Sequence, residues 1–220
     1  MKNLILVISC FILSLTYTNA QTSFKDPRDG KVYKTTKIGS QVWMAENLTT
    51  SKFNNGDLIP QAKSLAEFIE AGRNKQPIWC YYEFSETYGK YYGKLYNWYA
   101  ITDPRGLAPT NWHVPSQNEW RDIECCSAKK YKSKVGWQSY SAGTNETGFS
   151  ALPGGRLSVR EPDNLVNGYF FNDIGCYSHF WSSTEDGANH AWYRSLTETN
   201  GFESNSMLKM AGFSVRCVKN

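Results

Sequence analysis

Residues 111–123, Asn-Trp-His-Val-Pro-Ser-Gln-Asn-Glu-Trp-Arg-Asp-Ile, constrain this chain more than any other stretch. Val114 precedes a proline, which pushes it out of the helical region and makes the entry extended. Ser116 then stands where an N-cap belongs. Glu119, three residues on, completes a capping box in which two orphan amides are satisfied reciprocally. Trp120, Ile123 and Cys126 fall on one helical face, with Arg121, Asp122 and Lys129 on other sides. The pattern predicts a strand-like approach, a sharply started amphipathic helix, and a Trp120 anchored in a core. Most of the other residues read as short strands and aromatic-rich loops. The helix is their prop, and residues 212–219 form the strand on which Trp120 is expected to pack.

Local signals fill in the rest. Residues 31–48 read as a hairpin: Val32, Tyr33 and Ile38 lead into a Gly39-Ser40 turn, and Val42-Trp43-Met44 returns. A brief helix follows, with Ser64 and Glu67 as a second capping box, Leu65, Phe68 and Ile69 as its face, and Gly72 as its stop. Residues 78–84 and 95–101 are strand candidates separated by a Tyr/Gly loop at 88–93. Further strands are expected at 148–153, 180–184, 190–196 and 212–219, with turns at Asp186-Gly187 and Asn200-Gly201. Four tryptophans, Trp43, Trp98, Trp120 and Trp181, sit in periodic contexts and are assigned to the core. The class is α+β, in one domain over residues 21–220, since no strict repeat or low-complexity linker divides the chain.

The N-terminus has the form of an export signal. Lys2 gives a positive start, residues 4–15 an apolar run, and Thr18-Asn19-Ala20 a cleavage site before Gln21. The apolar run is too short to span a bilayer comfortably, and no later stretch is long enough to hold the chain in one. Export places the protein in the periplasm, at the cell surface or in the medium. Removal of residues 1–20 takes Cys10 with it, leaving Cys80, Cys125, Cys126, Cys176 and Cys217 of the six cysteines. In an oxidising compartment at least one disulfide is expected. A formal charge of only +4, with Lys and Arg scattered along the sequence, points to no nucleic-acid partner.

Several blocks together resemble one family. Asp29-Gly30-Lys31-Val32-Tyr33 with Ile38-Gly39-Ser40-Gln41-Val42-Trp43-Met44-Ala45-Glu46-Asn47-Leu48 resembles the opening of the Fibrobacter succinogenes major paralogous domain family. Cys80-Tyr81-Tyr82, Tyr92-Gly93-Lys94-Leu95-Tyr96-Asn97-Trp98-Tyr99-Ala100, Trp112-His113-Val114-Pro115-Ser116 and Gly148-Phe149-Ser150-Ala151-Leu152-Pro153-Gly154-Gly155 follow in family order. So do Phe180-Trp181-Ser182-Ser183-Thr184-Glu185, Ala191-Trp192-Tyr193-Arg194 and Ser214-Val215-Arg216-Cys217-Val218-Lys219. The resemblance implies an exported bacterial protein, not a reaction. It also favours a bridge between Cys80 and Cys217, positions that relatives pattern together, with Cys126 as the alternative partner. A fainter likeness, in the Val-Pro-Ser-x-x-Glu-Trp helix start and the last strand, is to the formylglycine-generating enzymes. It implies a C-type-lectin-like fold.

Candidate chemistry is sparse. The closely spaced cysteine pair of the formylglycine-generating enzymes has no counterpart, since Cys176 and Cys217 are far apart. His113, His179 and His190 have no Cys or Ser partner at a recognisable spacing. The reading is therefore a non-catalytic binding module for a glycan or protein ligand, the alternative being an enzyme of unknown reaction on the same fold. Glu161-Pro162-Asp163-Asn164 resembles the Glu-Pro-Asn sugar loop of calcium lectins, and Asn172-Asp173 resembles their later ligand pair, although Asp163 interrupts the tripeptide. No cofactor is expected beyond a calcium ion that such carboxylates and amides would chelate. Glu161, Asp163, Asn164, Tyr169 and Asn172 are the expected ligand contacts, with the tyrosines of residues 88–93 as neighbours.

Overall fold

Antiparallel pairing begins at once in the part of the chain that the computed structural model describes, residues 22–124, 127–138, 142–159, 169–197 and 201–220. Strand β1 (Thr22–Lys25) pairs with β2 (Val32–Ile38), and β2 with β3 (Gln41–Met44). The turn falls at Gly39-Ser40, as read from the sequence. Gly39 sits at φ +61°, a conformation that costs a side-chain-bearing residue more. The sheet continues through the last strand to the segment before the capped helix. Its order is β1-β2-β3-β12-β6, with β6 Trp112–His113 and β12 Val218–Lys219. A second sheet, order β11-β10-β9-β7-β8, comprises β7 (Gly154–Val159), β8 (Tyr169–Ile174), β9 (Ser178–Asp186), β10 (His190–Leu196) and β11 (Phe202–Leu208). A short pair, β4 (Trp79–Cys80) with β5 (Leu95–Tyr96), lies apart from both.

Helix α4 (Gln117–Ile123) carries the predicted capping box. The Glu119 N–H donates to Ser116 Oγ at 3.3 Å, and the Ser116 N–H to Glu119 Oε2 at 2.8 Å. The end of β9 holds the helix start, because Ser183 N–H donates to Pro115 O and Gln117 N–H to Thr184 Oγ1, both at 3.0 Å. Trp120 is fully buried, stacked on Phe180 of β9 at 5.6 Å and tilted against Trp43 of β3 at 4.9 Å. Val218 shares that cluster, but the main seat of Trp120 is β9 and β3 rather than residues 212–219.

The reason is that residues 212–217 do not form a ladder. Gly212, Phe213 and Ser214 make single bridges to Leu157, Tyr96 and Phe180. The carbonyls of Val215 and Cys217 accept from the N–H groups of Leu48 and Met44. The segment is a buried spine touched from several sides, and even its polar residues, Ser214 and Arg216, are buried. Trp43, Trp98, Trp120 and Trp181 are all buried.

Helix α1 (Leu65–Arg73) starts at Ser64, whose Oγ accepts from the Glu67 N–H, but Glu67 returns its carboxylate to the N–H of Lys63 instead of closing the box on Ser64. It also runs past Gly72, where an added Cβ would lie 2.6 Å from Met210 Cβ. Gly72 therefore serves packing, not termination. Four other segments depart from expectation. The strand at 78–84 stops after Cys80 and gives way to a 3-10 turn at Tyr82–Phe84. The Tyr/Gly loop is helix α2 (Glu86–Tyr92). Residues 95–101 change after Tyr96 into α3 (Trp98–Ile101), capped by Asn97 Oδ1 on the Ala100 N–H. The strand expected at 148–153 is reduced to a bridge between Ala151 and Lys132, pairing starting instead at Gly154.

The expected Cys80–Cys217 bridge is not formed. Both are free, buried thiols. A disulfide needs Cα atoms within roughly 7 Å and converging Cβ vectors. Cys80 is paired with Leu95 and belongs to the cluster around Phe68 and Leu157, whereas Cys217 lies beside β3 in the cluster around Trp181 and Phe213. Burial pushes the Cys80 thiol well up and that of Cys217 up to about 12. Cys125 and Cys126, like the signal region 1–20, lie outside the described residues.

Candidate functional site

Of the five ligand contacts expected from sequence, Glu161, Asp163 and Asn164 lie outside the described residues. Tyr169 is defined through its backbone alone, which opens β8 opposite Val159. Asn172 is placed: its Oδ1 accepts from Arg156 Nε and Ser158 Oγ, each at 3.3 Å. That side chain is thus committed to neighbouring strand residues. Beside it the fold assembles a group that the sequence spacing did not reveal. His179 Nε2 lies 2.9 Å from Asp173 Oδ2 and His179 Nδ1 lies 2.7 Å from Ser195 Oγ. Arg156 also pairs with Asp173 at 2.9 Å. His179 and Ser195 are only 3% and 2% exposed, and Tyr177 and Phe213 stack on the imidazole. Burial lowers the His179 pKa to about 4, outweighing Asp173, whose charge Arg156 also engages. A serine hydroxyl so enclosed is a structural partner of the histidine.

A separate open feature is a cleft of about 710 Å³, lined in part by the Tyr-rich helix. The β2–β3 hairpin and the turn after it supply Lys31, Lys34, Glu46, Asn47 and Thr49, and α2 with its exit supplies Lys90, Tyr91, Tyr92 and Lys94. Ser133, Lys134 and Val135 form a further wall, and Arg216 lies in the floor. Six basic side chains and one acidic one therefore line the cleft.

Local chemistry sets this geometry. Helix α2 can lie close over Tyr81 because residue 89 is glycine; an added Cβ would fall 2.3 Å from the Tyr81 ring. Gly93, at φ +87°, ends the helix and turns the chain inward to Lys94. Asn47 Nδ2 donates to Tyr92 O at 2.8 Å, fixing the helix end to the floor.

Arg216 is the strut beneath. Fully buried, it donates from Nε to Asn47 Oδ1 (2.7 Å), from Nη1 to Met44 O (2.9 Å) and Phe149 O (2.8 Å), and from Nη2 to Ser150 O (3.2 Å). Burial lowers its pKa to about 9. Lys94 is 4% exposed, donates from Nζ to Ser51 Oγ at 2.5 Å, and sits 3.6 Å over the Trp79 ring. Burial brings its pKa down to about 7. Lys31 donates to Thr49 Oγ1 at 2.6 Å, and burial lowers its pKa against the opposing pull of Glu46 and Asp29.

Sequence reasoning named only the tyrosines of this site. Its lysines come from separated segments, and no spacing rule joins them. Among the described residues no group of three or more His, Cys, Asp or Glu is gathered as a metal ion would need, and no helix is long and apolar enough to cross a membrane. No curated protein and no solved structure matches the chain. The model of the Fibrobacter succinogenes major domain matches residues 36–219, which take in the end of β2, β3, α2, α4, the spine and the cleft lining apart from Lys31 and Lys34. The chain belongs to the Fibrobacter succinogenes major domain family.

Proposed function

We propose that this protein is a non-catalytic binding module, exported and displayed at or released from the bacterial surface, which holds its ligand in the cleft between the β2–β3 hairpin and α2. The observation that carries this reading is preorganisation. Lys31, Lys94 and Arg216 are each held by hydrogen bonds to protein groups before any ligand arrives, so little ordering is left for binding to oppose. Tyr91 stands 56% exposed beside them, a rigid amphipathic surface suited to recognition. The cleft lies within the usual range of small-ligand sites, roughly 300–1,000 Å³.

A C-type-lectin-like architecture is part of this proposal. Its support is the last strand, inserted between β3 and β6 so that strands from the two ends of the domain share one sheet. Export rests on the Lys2 start, the apolar run and Ala20. The test is a glycan array probed with the mature domain, with and without a chelator. Binding that resists chelation and is lost on Tyr91→Ala, with unchanged circular dichroism, is the expected result. Binding that needs calcium, or that survives Tyr91→Ala in full, moves the site elsewhere, and turnover of a bound glycan makes the protein an enzyme.

A further inference from the structure

The cleft holds more positive charge than its own residues neutralise. Among the described residues, neither Lys94 nor Lys31 has a carboxylate oxygen within ion-pair distance, and both are held by hydroxyl groups. Arg216 donates to carbonyl oxygens and one amide oxygen. Glu46, the single acid in the lining, accepts from the Lys34 N–H at 2.7 Å. A buried ammonium without a counter-ion is costly, and that cost falls when an anion enters. Lys94 feels Asp29, which favours its charge, and Lys31, which opposes it, but burial outweighs both.

Resting on the binding-module reading above, we infer that the ligand is an anionic sugar, whose carboxylate or sulfate group pairs with Lys94 and Lys31 while a pyranose face lies against Tyr91. The sugar assignment follows from the rest of the lining. Thr49, Ser51, Ser133, Asn145 and Ser150 line the cleft, each oriented by a hydrogen bond within the protein, and the lone pairs those bonds leave over suit a polyhydroxylated ligand. The Tyr91 and Tyr92 rings, 5.1 Å apart and inclined at 67°, present a ring face and an edge. A folded protein partner usually buries a broad surface, about 800 Å² on each side, rather than filling a cleft of this size.

The experiment is calorimetric titration of the intact mature domain with four probes: a trigalacturonate, a sulfated trisaccharide, a neutral galactose trisaccharide and a triglutamate peptide. At least one anionic sugar is expected to bind roughly tenfold or more tightly than the neutral sugar, with an advantage that shrinks as salt is raised. Comparing the two anionic sugars tells carboxylate from sulfate. Lys94→Met should lose roughly tenfold in affinity for the anionic sugar, so that its advantage over the neutral sugar disappears, while Lys94→Arg keeps most of it. Binding should also take up protons near neutrality in the native domain and not in Lys94→Arg. Tyr91→Ala, at an exposed position, guards against an unfolded Lys94 variant and should weaken every sugar. Equal affinity for the neutral trisaccharide overturns this inference and leaves the binding module standing. Equal or tighter binding of triglutamate overturns the sugar assignment, and no binding by any probe overturns both.

Discussion

Replacing Trp120 by alanine is the sharpest test of how this fold is held. The ring is fully buried and meets three aromatic neighbours: Phe180 at 5.6 Å, Trp43 at 4.9 Å and Phe149 at 6.1 Å. Large-to-small replacement of a buried tryptophan costs about 3–5 kcal/mol, from lost transfer energy and the cavity left behind. One feature reduces this figure. The Trp120 indole N–H finds no acceptor among the described residues, and an orphan buried donor costs about 1–3 kcal/mol, which truncation relieves. The expected loss is therefore near the lower end, about 3 kcal/mol. The same reasoning predicts that Trp120→Phe, which keeps an aromatic ring against β9 and drops the orphan donor, costs about 1 kcal/mol or less. Urea unfolding followed by far-ultraviolet circular dichroism gives both numbers, provided the slope is unchanged. If Trp120→Ala costs less than about 1 kcal/mol, α4 is peripheral. If phenylalanine costs as much as alanine, the orphan-donor argument is wrong.

Three further outcomes follow from the buried polar groups. His179 has a folded pKa of about 4 against an ordinary 6.5, so the unfolded chain takes up its proton first. Its full contribution is present above pH 6.5, and stability should fall by about 3 kcal/mol as pH drops from there to about 4, a dependence that His179→Gln flattens in acid unfolding curves. Arg216→Met should cost about 3–5 kcal/mol in urea unfolding by orphaning the acceptors on Met44, Asn47, Phe149 and Ser150, with Arg216→Lys rescuing only part because an ammonium cannot copy the fork. Cys80 and Cys217 should resist alkylation in the native protein and react on unfolding without reductant; a peptide pair joined through them in the mass spectrum would refute the free-thiol arrangement.

What could be read in advance was local. The Ser116–Glu119 box, the Gly39-Ser40 turn and the Ser64 cap are each decided within a few residues, and each stands where the sequence puts it. Helix α2 was not legible. Its N-cap Ser85 makes no side-chain capping bond, its middle carries Gly89, and its tyrosines suit a loop or strand as well. What makes it helical is tertiary, since Gly89 lets it close onto Tyr81 and Asn47 ties down its last turn. The same holds for the charge pattern. Lys31, Lys90, Lys94 and Lys134 look scattered along the chain and suggest no partner, yet the hairpin, α2 and the 133–135 wall bring them into one cleft. Asp173, His179 and Ser195 come from β8, β9 and β10, so only strand register brings them together. The bridge placed between Cys80 and Cys217 failed for a related reason. The likeness of the flanking blocks carries no information on which core cluster each thiol joins.

A crystal structure of the mature domain with an oligogalacturonate tests the central claim most directly. The account predicts ligand density in the cleft between the hairpin and α2, with a carboxylate within ion-pair distance of Lys94 and a pyranose face on Tyr91. A sugar seated instead against Asn172 on β8, with the lysine cleft empty, would contradict it.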